Sequence, residues 1–127
     1  MAKPVILCVD DEPGVLSSLD RCLSLENFEV LQALDGKAAL EILHTRDGRV
    51  DLMIVDQRMP GMLGDEFLAQ AHDLYGSLKA IMLSGMMDAR GFTHAVNDGG
   101  LLYFMEKPWD RDELVRIVKA VLFPEAL

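Results

Sequence analysis

The chain has 127 residues with a formal net charge of −9; half of the residues are hydrophobic and 26% are charged. That length fits one domain with a proper core, and the composition excludes a disordered or low-complexity spacer. The acidity argues against DNA, RNA or an anionic membrane as a direct partner, because phosphate backbones need clustered Lys and Arg. In chain order, Val5-Ile6-Leu7-Cys8-Val9 reads as a buried strand. A helix is predicted from Pro13, a proline tolerated in a first turn, with Val15, Leu19, Cys22 and Leu23 on one stripe. Phe28-Glu29-Val30-Leu31, followed by Gln32, reads as an edge strand. Asp35-Gly36 signals a turn or cap before a helix carrying Ala39, Ile42 and Leu43. Leu52-Met53-Ile54-Val55 is the third strand, and Phe67, Leu68, Ala71, Leu74 and Tyr75 mark the third helix. Ala80-Ile81-Met82-Leu83 is the fourth strand. A weak helical pattern over residues 87–97 offers only Phe92, Ala95 and Val96, which predicts a short or mobile helix, and Asp98-Gly99-Gly100 ends it. Leu101-Leu102-Tyr103-Phe104 is the fifth strand. Asp110-Arg111-Asp112-Glu113 has capping-box spacing ahead of Leu114, Ile117, Val118, Val121 and Leu122.

Strands alternating with helices predict an α/β fold with a parallel sheet and right-handed crossovers. No apolar run approaches the roughly 18 residues of a membrane span. The run behind Met1 is too short for a signal-peptide core. Cys8 and Cys22 have neither CxxC nor Cys/His metal spacing, which points to a reducing, cytoplasmic setting. The tail from Phe123 to Leu127 suits a true terminus or a cut through a longer protein.

In an open parallel sheet, ligands bind outside the carboxyl ends of the strands at a topological switch point. The residues that follow the strands are therefore the candidates. Asp10, Asp11 and Glu12 follow the first strand, and Asp56-Gln57-Arg58-Met59-Pro60-Gly61 the third. Ser84-Gly85 follows the fourth, and Glu106-Lys107-Pro108 the fifth. Two carboxylates 4 Å apart repel by about 4 kcal/mol at an effective dielectric of 20, so a cluster of them raises pKa values or demands a cation. Oxygen-only ligation suits Mg²⁺. A lysine and a hydroxyl facing that ion make sense if a phosphoryl group sits between them, and an Asp carboxylate can itself be a nucleophile toward phosphorus. Taken singly, these residues have plainer readings. Asp10-Asp11 also suits capping of the helix at Pro13, Ser84-Gly85 is a common turn, and Phe104 suits a core. Met59, Met62, Met86 and Met87 lie in predicted loops near the site, as an adaptable contact surface would.

The order Asp-Asp, Asp, Ser, Lys-Pro at the ends of strands one, three, four and five resembles the response-regulator receiver family of two-component signalling. The likeness runs from Val5 to Leu122. It implies one receiver domain over residues 1–127, with a flavodoxin-like (βα)5 three-layer sandwich and strand order 2-1-3-4-5. By resemblance, Asp56 is the phosphoacceptor. Mg²⁺ is held by Asp11, by Asp10 through water, by Asp56 and by the Arg58 backbone carbonyl. Ser84 and Lys107 contact the phosphoryl group with the backbone N–H groups of Arg58 and Gly85, and Ser84 and Phe104 form the switch. The donor is a histidine kinase or histidine phosphotransfer protein. The responding face comprises the helix at 87–97, the fifth strand and the last helix, and signals to an output domain or partner. The chain is not an enzyme beyond accepting the phosphoryl group and slowly shedding it. Ser84 stands where Thr is frequent in the family and Phe104 where Tyr is. The large, charged Arg58 covers the phosphoryl group or reaches Asp10 or Glu12. The segment Asp56 to Met62 and the stretch through Lys107-Pro108-Trp109-Asp110 resemble a subgroup often fused to HD-type phosphodiesterase or histidine-kinase modules.

Three other readings compete. A haloacid-dehalogenase-like phosphohydrolase needs D-x-D, whereas Asp56 is followed by Gln57 and Arg58. A degenerate receiver acting only as a docking module would not keep all the polar positions. A flavin carrier on this sheet would lack a phosphate-cradling loop after the first strand, where acids stand instead.

Overall fold

A computed structural model of the chain describes residues 3–76, 78–84 and 102–124. The apolar runs from Val5, Leu52 and Ala80 become buried strands, whereas the last run becomes an edge strand with Tyr103 exposed, and the periodic segments become the helices that cover the sheet. The order is β1 (Val5–Val9), α1 (Pro13–Ser24), β2 (Glu29–Ala33), α2 (Gly36–Arg46), β3 (Leu52–Asp56), α3 (Gly64–Tyr75), β4 (Ala80–Ser84), β5 (Leu102–Glu106) and α4 (Arg111–Leu122). All neighbouring strands pair in parallel, in the order β2-β1-β3-β4-β5. The predicted helix at 87–97, the turn at 98–100, and Gly85, Met86 and Met87 lie outside the described residues.

The period-2 alternation of the strands builds two cores. Ile6, Cys8, Leu52, Ile54, Ile81, Leu83 and Met105 face α1 and α4, where Leu16, Leu19, Leu23, Leu114, Val118 and Val121 meet them. Leu7, Val9, Met53, Val55, Ala80 and Met82 face α2 and α3, against Ala39, Leu43, Phe67, Leu68 and Ala71. This is a three-layer αβα sandwich.

Some details depart from the pattern reading. β2 starts at Glu29 because the Phe28 N–H is taken by the Leu23 carbonyl at the end of α1, while the Phe28 ring fills the core. Leu74 points to solvent, and the buried stripe of α3 ends at Ala71. Met59 is buried in the α2/α3-side core and so supplies no open contact surface, while Met62 is partly buried against the same core. Two helix starts carry side-chain caps where their sequences signal them, whereas α1 starts at Pro13 without one. The Asp35 side chain accepts from the Ala38 N–H at 2.8 Å, and the Asp110 side chain accepts from the Glu113 N–H at 2.9 Å. The Lys107–Pro108 bond is cis.

Two glycines in helices occupy opposite environments. A Cβ on Gly64 would lie 2.5 Å from the Asp56 carbonyl oxygen and 2.9 Å from the Gln57 Cα, whereas a Cβ on Gly14 meets nothing within 4 Å. Gly64→Ala is therefore expected to destabilise the fold by about 1–3 kcal/mol through overpacking against backbone. Gly14→Ala should stabilise it by up to about 1 kcal/mol through helix propensity and a less flexible unfolded chain. Urea midpoints for the two variants should move in opposite directions; a shift of the same sign in both would contradict this packing.

Candidate functional site

The strand order reverses between β1 and β3, and the polar residues gather beyond the carboxyl ends of those strands. Asp10 extends β1 by one residue and its N–H continues the ladder to the Ala33 carbonyl at 3.1 Å. Asp10 is 1% exposed. One of its oxygens accepts from the Glu12 N–H at 2.9 Å, and the other accepts from Lys107 Nζ at 2.8 Å. It thus sets the turn into α1 while also pairing with the Lys107 ammonium; the N-cap of that helix is Glu12, and no side chain caps it. Asp11 is exposed, and Asp56, the last residue of β3, is buried.

The carboxylate oxygens of Asp10, Asp11 and Asp56 come within 4.8 Å of one another. Lys107 reaches this group from beyond β5, with Nζ 3.2 Å from Asp56 Oδ1 and 3.8 Å from Glu12 Oε1. Its own N–H donates to the Ser84 carbonyl at 2.7 Å, which fixes the base of its side chain beside β4. One ammonium therefore serves two buried carboxylates, with a third, exposed carboxylate beside them.

This imbalance shows in the proton affinities. Burial, and then the neighbouring charge of Asp10, push the Asp56 carboxyl from 3.8 up to about 6; Lys107 opposes the rise and Asp11 adds to it. Burial pulls the Lys107 ammonium down, but hydrogen bonding and charge from Asp10 and Asp56 outweigh it and hold the pKa above the ordinary lysine value. Carboxylates that repel each other and offer only oxygen ligands fit a hard divalent cation, because its charge relieves the repulsion that one lysine leaves.

Ser84 ends β4 and is buried at the same rim, in register with Glu106. Phe104 lies opposite Met82 and is half-buried against the α2/α3-side core. Arg58 is exposed in the loop after β3. Gly85 lies outside the described residues. The structure therefore brings Asp10, Asp11, Asp56 and Lys107 together and places Ser84 on the adjoining strand end. Two further residues belong to this region, Gln57 and Asp65, which pair with each other in a buried position. The alternation Met53, Val55, Gln57 was the available signal, since it turns the Gln57 side chain toward α3.

Residues 6–119 match the model of the response regulator receiver domain. The hydrogenase transcriptional regulatory protein HoxA of Cupriavidus necator is 32% identical over 125 residues; these cover 98% of this chain and 25% of that protein. The chain thus spans about a quarter of HoxA. Sporulation initiation phosphotransferase F of Bacillus subtilis is 31% identical, with 96% of each chain covered. Among solved structures, the signal receiver domain of an HD domain-containing protein from Pseudomonas fluorescens Pf-5 superposes with a TM-score of 0.89 at 33% identity, covering 98% of each chain. With the strand order, the rim residues and these likenesses in agreement, the chain belongs to the response regulator receiver domain family.

Proposed function

We propose that this receiver is a phosphorylation-driven switch in which Asp56 accepts a phosphoryl group from a phosphohistidine on a partner histidine kinase or phosphotransfer protein. The observation that carries this reading is the Asp10, Asp11 and Asp56 cluster with the Lys107 ammonium 3.2 Å from Asp56. An Asp56 carboxylate oxygen attacks phosphorus in line with the P–N bond. The new P–O bond forms as the P–N bond breaks, and the imidazole nitrogen leaves with the electron pair. Water attack on the aspartyl phosphate later releases inorganic phosphate and restores the carboxylate. Held by Asp10, Asp11, Asp56 and the Arg58 carbonyl, Mg²⁺ would supply positive charge opposite the phosphoryl oxygens.

The chain's own groups do the rest. Lys107 moves its ammonium from the Asp56 carboxylate to a phosphoryl oxygen, where the charge has grown. The Ser84 hydroxyl and the N–H groups of Arg58 and Gly85 donate to the same oxygens. Drawing Ser84 inward frees space for Phe104 to turn in. That shift changes the surface of β5 and α4, a local charge biasing a two-state element. Residues 1–127 form one receiver domain that signals to an output domain or partner and turns over no small substrate. It works in the cytoplasm, in keeping with its free cysteines and the absence, among the described residues, of a helix long and apolar enough to cross a membrane. The 31% identity to sporulation initiation phosphotransferase F, over 96% of each chain, supports a role in phosphoryl transfer.

Incubation with acetyl phosphate and Mg²⁺ should add one phosphoryl group to the intact mass. The addition should be lost with chelator and in Asp56→Asn; addition to Asp56→Asn at the parent rate would contradict the assignment. Lys107→Met separates charge neutralisation from metal binding. Phosphoryl gain should slow at least about 10-fold, as for loss of one positioned charge donor, while Mg²⁺ binds no more weakly, because a competing cation has gone. Parallel loss of metal affinity and rate would contradict this division of labour.

Asp56 also predicts a pH dependence. Its folded pKa is raised, so its contribution to stability is fully present below its ordinary pKa of 3.8 and is lost as pH rises through about 6. Without metal at pH 7.5, Asp56→Asn is therefore expected to be more stable than the parent by on the order of 2 kcal/mol. The gap should close near pH 4 and shrink in Mg²⁺. Urea unfolding across that range checks it, and an Asp56→Asn protein less stable than the parent at pH 7.5 would contradict it.

A further inference from the structure

Gln57 follows the carboxylate-bearing residue directly, yet it is 2% exposed. Its backbone and side chain are each bonded twice. The N–H donates to the Leu83 carbonyl at 3.0 Å, and the carbonyl accepts from the Gly64 N–H at 2.9 Å. Oε1 accepts from the Asp65 N–H at 2.9 Å, and Nε2 donates to Asp65 Oδ1 at 3.0 Å. Asp65 is 7% exposed, and the same oxygen accepts from the Glu66 N–H at 3.1 Å. The first turn of α3 is thus fastened to the residue beside Asp56. The close approach is possible because Gly64 has no Cβ, which would sit 2.5 Å from the Asp56 carbonyl oxygen.

A buried amide–carboxylate pair is an odd choice if holding α3 were its only task. Two apolar side chains of similar shape would hold the helix at least as well, since buried polar pairs seldom add net stability. What the polar pair adds is direction. Its bonds fix both ends of the segment 58–63 at once, at Gln57 and at Gly64-Asp65, and the peptide groups flanking Arg58 hang from the first of those ends. We propose that Gln57 and Asp65 form a positioning clamp that sets the Arg58 peptide against the Asp10, Asp11 and Asp56 carboxylates, and so tunes metal affinity and phosphoryl transfer rather than stability. This inference rests on the phosphoacceptor reading of Asp56.

The test uses the full chain. Mg²⁺ alone is titrated while the Asp10 and Asp11 amide NMR signals are followed, and phosphoryl gain from acetyl phosphate is timed by intact mass. Gln57→Met keeps length and burial but removes both side-chain bonds. It is expected to weaken Mg²⁺ binding and slow phosphoryl gain by about 10-fold, as for loss of an outer-shell partner of a metal site. Asp65→Ala should do the same. Asp65→Asn keeps an oxygen for Gln57 Nε2 and should stay within about 2-fold of the parent. If Gln57→Met does not fold, the contrast between Asp65→Ala and Asp65→Asn decides. Parent-like metal affinity in folded Gln57→Met or Asp65→Ala would overturn the clamp, as would an Asp65→Asn protein as impaired as Asp65→Ala. A parent that gains no phosphoryl group would remove the reading beneath it; a parent that gains one while the clamp variants match it would remove the clamp alone.

Discussion

Lys107 carries its ammonium to within 2.8 Å of Asp10 and 3.2 Å of Asp56, although β4 lies between its strand and β3 and the Asp10 strand is one further across. Strands are spaced about 4.8 Å apart, so only a long, flexible side chain can bridge that span. The contact closes the rim. Without it, two nearly buried carboxylates would face each other with no cation among the described residues beside them. With it, the negative charge is reduced but not cancelled, since Asp11 adds a third carboxylate. The remaining repulsion is the property that makes the site responsive: a divalent ion is welcome, and a phosphoryl group that takes over the ammonium changes every local interaction at once.

The rest of the fold serves that arrangement. A parallel sheet sends all its strand ends the same way, and the order β2-β1-β3-β4-β5 places β1 and β3 side by side at the reversal. Two apolar cores, one on each face, hold the strands in register from Ile6 to Met105. Asp10 and Asp56 each continue a strand by one step beyond the fully apolar part. Their burial follows from the cores beneath them, and burial is the first cause of the raised Asp56 pKa.

Much of this could be read from the amino-acid order. The apolar runs from Val5, Leu52 and Ala80 have too few polar interruptions to be anything but doubly covered strands, and the residues after them are the ones that converge. Other features depend on tertiary contact. Phe28 continues the apolar run of β2, yet its N–H bonds to the Leu23 carbonyl and its ring packs into the core beneath α1 and α4. Leu74 fits a helical stripe by spacing but stands exposed to solvent. Met59 reads as a loop residue, yet the chain folds it back into the core. Gln57 and Asp65 are eight residues apart in sequence and meet only because α3 returns to its own starting strand. The acidic cluster was legible as a set of strand ends, and its closeness came from the register between strands.

A covalent map of the modified chain tests the central claim most directly. After exposure to acetyl phosphate and Mg²⁺, borohydride reduction converts an acyl phosphate to an alcohol, turning the modified aspartate into homoserine, which tandem mass spectrometry of the peptides then locates. The account predicts homoserine at position 56 and unaltered aspartate at positions 10 and 11. Homoserine at either of those two positions, or a phosphoryl group that resists reduction, would contradict it.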